Sequence, residues 1–272
     1  VGFVRAHGVE IAYQRVGEGP SLVLVHGAGD DSRIWQPQLS GLADEFTVVA
    51  WDEPGAGRSS DVPADFGLAD YAACLGGLIE ALDVGPVHLA GLSWGGVVAL
   101  QTYADYPHVV GTLVLADTYA GWKGSLAAND ARARVAGVRQ LMAAPTDDIE
   151  SIAPGLFAGG PPPAFAPLLA ELAAGVRRES LATQLAAIAE ADLRDLLPQI
   201  AVPTLLVWGE QDVRSPLSVA RQFERAIPDA TLVVLPDCGH VSNLEQPEGF
   251  NEAVRSFCLV HPIGMSGDTT GR

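Results

Sequence analysis

Six short, near-continuous apolar runs limit what this chain can fold into: Ser21-Leu22-Val23-Leu24-Val25, Phe46-Thr47-Val48-Val49-Ala50, and those at 86–90, 112–116, 204–208 and 231–235. A strand without polar alternation must be covered on both faces, which is the condition of strands in a parallel sheet. Helical spacing separates the runs, at 68–82 with Leu68, Cys74, Leu75, Leu78 and Leu82 as apolar positions, and again at 95–105, 216–226 and 247–257. Val9-Glu10-Ile11-Ala12-Tyr13 alternates like a half-buried strand before the turn Gly17-Glu18-Gly19-Pro20. The pattern predicts an α/β protein with a mostly parallel, doubly wound sheet.

At 272 residues the chain can bury one large core and still carry an insertion. Between Asp117 and about Pro198 the strand pattern stops, replaced by alanine- and leucine-rich helical stretches and the breaker Gly159-Gly160-Pro161-Pro162-Pro163. The run at 204–208 then resumes the sheet, so the intervening stretch predicts a helical lid inserted into one domain rather than a second domain in series. The expected division is a core of residues 1–117 and 199–262, a lid over 118–198, and a small, polar, disordered tail over 263–272.

A formal net charge of −17 argues against nucleic acid or anionic membrane as a partner, since both require local positive charge, and favours a small-molecule partner. No uninterrupted apolar run reaches the roughly 18 residues of a membrane span, and Val1-Gly2-Phe3-Val4-Arg5 lacks the regions of a secretory signal, so the expected location is cytoplasmic. Cys74, Cys238 and Cys258 are odd in number and widely spaced, which predicts reduced cysteines and no zinc knuckle.

The chemistry concentrates at the ends of the predicted strands. Gly91-Leu92-Ser93-Trp94-Gly95 stands between a strand and a helix, as in a nucleophile elbow, where a strained turn lifts the serine hydroxyl into a pocket. A free serine is a poor nucleophile, so a histidine and an acid are expected elsewhere. Gly209-Glu210-Gln211-Asp212 and Asp237-Cys238-Gly239-His240 each follow a strand, offering Asp212 and His240 in the chain order Ser, Asp, His. Asp117 and Asp52 also follow strands and remain rivals for the acid, with Asp117 the stronger. Asp237 is close in sequence to His240 and is expected to be solvated. His26 is expected to shape its loop rather than act as a base.

Taken together, His26-Gly27-Ala28-Gly29, the loop from Asp52 to Ser59, the elbow, Gly209-Glu210-Gln211-Asp212 and Gly239-His240 make the sequence resemble α/β-hydrolase-fold serine hydrolases of the lidded esterase, enol-lactonase and carbon–carbon hydrolase group. The resemblance runs from Val9 to about Val260. It implies a carboxylic-ester or lactone hydrolase working on a small, partly apolar acyl substrate through an acyl-serine, with no metal or organic cofactor. It further implies an oxyanion hole made by the backbone N–H groups of Ala28 and Trp94. Similar enzymes hydrolyse a carbon–carbon bond in vinylogous diketones with the same residue types, and some proteins of this fold act instead as slow-turnover ligand receptors.

Trp94, Trp35, Trp122, Phe157 and Phe165 are candidates to line an apolar pocket, against the plainer reading of core or lid packing. Arg33 is a candidate for a substrate carboxylate, against a solvated surface arginine. Arg132, Arg134, Arg177 and Arg178 in the lid are expected to face solvent.

Overall fold

The computed structural model describes residues 1–143 and 155–263, so nearly all of the expected tail and part of the expected lid lie outside the described residues. Eight strands form one sheet: β1 (Gly2–Ala6), β2 (Val9–Val16), β3 (Ser21–Val25), β4 (Thr47–Trp51), β5 (Val87–Leu92), β6 (Val110–Ala116), β7 (Thr204–Gly209) and β8 (Ala230–Leu235), in the order β1-β2-β4-β3-β5-β6-β7-β8. The pairs β1–β2 and β2–β4 are antiparallel, and the remaining five pairs are parallel.

Both faces are covered, as the unbroken apolar runs require. Along β3, Val23 and Val25 point into one core with Leu75, Leu78, Val97 and Val98, contributed by α2 (Leu68–Leu82) and α3 (Trp94–Asp105). Leu22 and Leu24 point the other way, into a core with Phe250 and Val254 from the helix Pro247–Val260. Complete burial of four consecutive strand residues from Leu22 to Val25 makes hydrophobic transfer the main stabilising term at the sheet centre, at about 25 cal/mol per Å² of apolar surface.

Strand order reverses between β3 and β5. The chain runs from β3 outward to β4 and then returns to place β5 on the opposite side of β3. A crevice opens outside the carboxyl ends of strands at such a switch point, and ligands bind there in open parallel sheets. The loops after β3 and β5 are those carrying His26-Gly27-Ala28-Gly29 and the elbow.

The helices Ala128–Ala143, Ala166–Gly175 and Arg178–Glu190 lie in the chain between β6 and β7, where a helical insertion is expected. The antiparallel edge strand β1 was not among the predicted strands. Its five residues alternate between partial and full exposure until Ala6, so it carries too little apolar signal to be distinguished from an exposed terminus. Among the described residues no helix is long and apolar enough to cross a membrane.

Candidate active site

Ser93 occupies the corner between β5 and α3 at φ 54°, ψ −117°, a conformation disfavoured for a residue with a side chain. The surrounding glycines are required by close approach. A Cβ on Gly95 would stand 2.1 Å from the Val25 carbonyl oxygen, and one on Gly91 would stand 2.4 Å from the Gly95 oxygen. Gly96 would meet the Thr118 hydroxyl at 2.3 Å. The elbow is therefore wedged between the end of β3 and the residues after β6.

His240 brings the other two groups together. Its Nε2 lies 2.8 Å from Ser93 Oγ and its Nδ1 lies 2.8 Å from Asp212 Oδ2. The second oxygen of Asp212 accepts from the backbone N–H of Arg214 at 2.7 Å and of Ser215 at 2.8 Å. These bonds fix the carboxylate without occupying the oxygen that faces the imidazole. Gly209 allows the two loops to meet, since a Cβ there would stand 2.0 Å from the Gly239 carbonyl oxygen.

Burial lowers the pKa of His240, opposed by the charge of Asp212 and its hydrogen bond; the Arg214 and Arg134 charges lower it further. The imidazole is thus neutral at neutral pH, with Nδ1–H donating to Asp212 and Nε2 free to accept from the serine hydroxyl.

The rival acid Asp117 is fully buried and turned away. One of its oxygens accepts from the Gly209 N–H at 2.8 Å, and the other accepts from the Ser242 hydroxyl. Burial, with the nearby Asp212 charge, raises its pKa well above the carboxylate range. It buttresses the loop that carries Asp212. Asp52, the other rival, accepts from Ser32 N–H at 3.0 Å and from Arg58 Nε at 2.8 Å, and so holds its own loop.

The loop after β3 reaches the serine. A Cβ on Gly27 would lie 3.8 Å from Ser93 Cβ. His26 shapes this loop as expected: it is fully buried, its Nδ1 is 2.9 Å from the Gly27 carbonyl oxygen, and its Nε2 accepts from the Glu53 N–H at 3.0 Å. Trp94 opens α3, so its backbone N–H has no partner in a preceding helical turn.

The aromatic candidates divide. The segment of Phe157 lies against the His240 loop, with His240 N–H donating to the Leu156 oxygen at 2.8 Å. Trp122 sits beside Arg134, whose guanidinium is also 5.3 Å from the ring of Tyr119; that ring lies 6.2 Å from the His240 ring. Trp35 departs from the expected pocket position, being fully buried against Phe250 in the core beneath the sheet. Trp94 is likewise a core side chain, packed on Tyr71 at 5.3 Å. Phe165 packs against the second core.

Two arginine expectations need correction. Arg177 is half-buried rather than free in solvent: it donates to the carbonyl oxygens of Ser59 and Gly57 and pairs with Asp61, fastening the insertion to the loop after β4. Arg134 donates to the Tyr119 hydroxyl at 2.7 Å and to the Arg214 carbonyl. The flexible stem and planar head of arginine let it reach backbone oxygens on another element, which helical position alone does not reveal. Arg132 and Arg178 are exposed, as expected. Arg33 is paired with Asp31 at 2.7 Å and Glu171 at 3.2 Å, and so is held between two carboxylates.

Sequence reasoning passed over Glu53 and Gln184. Both are buried, and Gln184 Nε2 donates to Glu53 Oε1, joining the insertion to the loop after β4. Two adjacent acids directly after a buried strand were a usable signal for Glu53. Gln184 sits on an ordinary alanine-rich helix and gives none. Among the described residues no group of His, Cys, Asp and Glu is arranged to hold a metal ion.

The description of the alpha/beta hydrolase family matches residues 22–253. A protein of Pseudomonas syringae, provisionally named as a carbamate hydrolase, is 31% identical over 90% of this chain and 96% of its own. The 3-oxoadipate enol-lactonase 2 of Acinetobacter baylyi is 29% identical over 92% of this chain and 94% of its own. Among solved structures, a thermophilic esterase from Thermogutta terrifontis superposes with a TM-score of 0.83 at 29% identity, covering 96% of this chain and all of the esterase.

Proposed function

The chain belongs to the alpha/beta hydrolase family, and from that premise we propose that it is a serine hydrolase cleaving the carboxylic ester or lactone of a small, partly apolar substrate. The observation that carries this reading is the unbroken hydrogen-bonded chain from Asp212 through His240 to Ser93, lying at the sheet's switch point.

In the proposed cycle Ser93 Oγ attacks the substrate carbonyl carbon while its proton passes to His240 Nε2, and Asp212 stabilises the imidazolium. The carbonyl electron pair moves onto oxygen, where the N–H groups of Ala28 and Trp94 receive the oxyanion. Collapse breaks the bond to the alkoxy oxygen, which takes the proton from His240 and leaves as an alcohol; in a lactone this alcohol remains tethered to the acyl group. Water, deprotonated by His240, then attacks the acyl carbon; collapse breaks its bond to Ser93 Oγ, which takes the proton back from His240, and the acid leaves. The insertion serves as the lid that shapes the acyl pocket. The expected setting is cytoplasmic.

Hydrolysis of a carbon–carbon bond in a dienoate would call for a cation to hold the substrate carboxylate. Arg33, the candidate for that task, is engaged by Asp31 and Glu171, which favours the ester or lactone reading.

The test is turnover of short p-nitrophenyl esters, γ-lactones and a dienoic diketone by the wild type and by Ser93→Ala. Ester or lactone turnover beyond one equivalent, lowered about 10⁴-fold or more by the substitution, is expected. Turnover of the diketone alone would replace this reading with carbon–carbon hydrolysis. A single burst would replace it with a receptor.

A further inference from the structure

We propose that Glu53 and Gln184 are positioning residues that together hold the two oxyanion-hole amides in place, with Gln184 supplied by the inserted helix Arg178–Glu190. This rests on the serine-hydrolase reading above, because it assigns a task to groups around the Ala28 and Trp94 amides.

Glu53 is the hub. Its backbone N–H donates to His26 Nε2 at 3.0 Å, and His26 Nδ1–H donates in turn to the Gly27 carbonyl at 2.9 Å. Its side chain accepts from the Trp94 indole N–H, 2.9 Å to one carboxyl oxygen and 3.2 Å to the other. Gln184 donates its amide N–H to the same carboxyl group, while its own oxygen accepts from the Gly29 backbone N–H at 3.0 Å. The residues on both sides of Ala28 are therefore held, and so is Trp94 itself. Glu53 thus connects the loop after β3 through its backbone N–H, and the first residue of α3 and the insertion through its carboxyl group.

A purely structural role explains this arrangement poorly. The hub is fully buried, and no arginine or lysine is hydrogen-bonded to it among the described residues. Burying a carboxyl group without a cation carries a desolvation cost that an apolar residue of the same shape avoids. Burial, reinforced by neighbouring Asp30, also keeps this carboxyl well above the usual range. That direction favours the neutral acid; glutamine matches its shape and keeps one acceptor oxygen for the Gln184 N–H, but not the second oxygen that the indole N–H approaches at 2.9 Å. What the polar group provides, and an apolar one would not, is fixed direction for the Trp94 indole and the Gln184 amide, the second of which in turn holds the Gly29 N–H. Transition-state stabilisation by such amides depends on donors aimed before the charge develops.

The test compares phenylboronic acid, which forms a tetrahedral anion on an active serine, with a p-nitrophenyl ester, in wild type, Gln184→Ala, Glu53→Ala, Glu53→Gln and the double alanine variant. The expected result is that Gln184→Ala and Glu53→Ala each lower kcat and boronate affinity by roughly 10- to 100-fold, less than or equal to loss of a whole donor. KM changes little, because the ground-state ester makes weaker demands on the hole. Glu53→Gln recovers part of the loss, since its one amide oxygen can still accept from Gln184 while the closer acceptor for the indole is gone. The double variant is no worse than the poorer single one, as for groups acting through one network.

Unchanged boronate affinity in the alanine variants, or equal losses in kcat/KM and substrate affinity that add in the double variant, would overturn the proposal. If Glu53→Ala does not fold, Gln184→Ala and Glu53→Gln decide the matter, since neither leaves the indole facing an empty space. A wild type that neither turns over esters nor binds boronate overturns the serine-hydrolase reading and this assignment together. A wild type that does both, with variants indistinguishable from it, overturns only the assignment.

Discussion

At His240 burial and a carboxylate partner act in opposite directions, and burial has the larger effect, so its pKa lies below that of an ordinary histidine. A general base works only when neutral. The acid limb of kcat/KM should therefore fall at a pH below about 6.5, the unperturbed histidine value. A pH–rate profile breaking above that value would show that the Asp212 interaction outweighs burial. The two buried aspartates are separable in the same way. Asp212→Asn should cost about 10⁴-fold in kcat, because an amide cannot select the tautomer that leaves Nε2 as acceptor. Asp117→Asn should stay within a few-fold of wild type: burial pushes its carboxyl towards the neutral form, its φ of 47° is one asparagine tolerates, and it is hydrogen-bonded to neither Ser93 nor His240. Parallel kinetics on the two variants decide this; equal losses would restore Asp117 as a partner in the site. Asp212 was legible in the sequence because Gly209 and its neighbours announce a loop after a strand. Glu53 was not read as a site residue because its partners come from residues 26, 94 and 184, and contacts of that separation leave no local periodicity.

Among the elements, the elbow shows how firmly close approach constrains a sequence. Gly95→Ala would drive a methyl group to 2.1 Å from a backbone oxygen of β3, and neither partner is a flexible side chain. A loss of about 1–3 kcal/mol is expected, as for overpacking in a core, together with loss of activity as β3 and α3 are pushed apart. Gly137 is the contrasting case. It lies exposed within the helix Ala128–Ala143, with nothing within 4 Å of its Cβ position. Gly137→Ala should be neutral to stabilising by up to about 1 kcal/mol from helix propensity. Chemical denaturation of both variants checks the pair, and similar destabilisation would mean that backbone approach does not govern the elbow. The predicted strands and helices fall within one or two residues of the observed ones, apart from longer ends on β2 and the last helix and the exposed edge strand β1. Long apolar runs and helical spacing register burial, and burial decides most of this sheet. The attachment of the insertion was not legible, because it depends on Arg177 reaching the carbonyls of Gly57 and Ser59, and backbone acceptors look alike in any sequence.

For the whole molecule, the balance of buried titrating groups sets the pH range of stability. His26, His88 and His240 are all lowered by burial, His88 to about 4. A histidine disfavoured as a cation takes up protons more readily when unfolded, so each weakens the fold as pH drops below about 6.5. Asp30, Glu53, Asp117 and Glu245 are raised, Asp30 to about 8, chiefly by burial. These acids hold their protons longer in the folded state, so each weakens the fold as pH rises from the ordinary carboxylate range towards its folded value. Between about pH 4.5 and 6.5 the two sets oppose one another and the stability curve should be shallow. Above that window the histidines have finished titrating in both states while the acids have not, and stability should decline towards pH 8. A net slope near 1 kcal/mol per pH unit would lower the melting temperature by about 2–4 °C per unit in a protein of this size. Asp30→Asn removes one of these four acids, and Asp30 makes no side-chain hydrogen bond that the amide would lose among the described residues. Its melting temperature should therefore fall less steeply than that of the wild type between pH 6.5 and 8. Calorimetric scans across that interval test the balance: parallel curves for the two proteins would show that Asp30 ionises freely in the folded state, and a wild-type curve rising with pH would show that the histidines dominate.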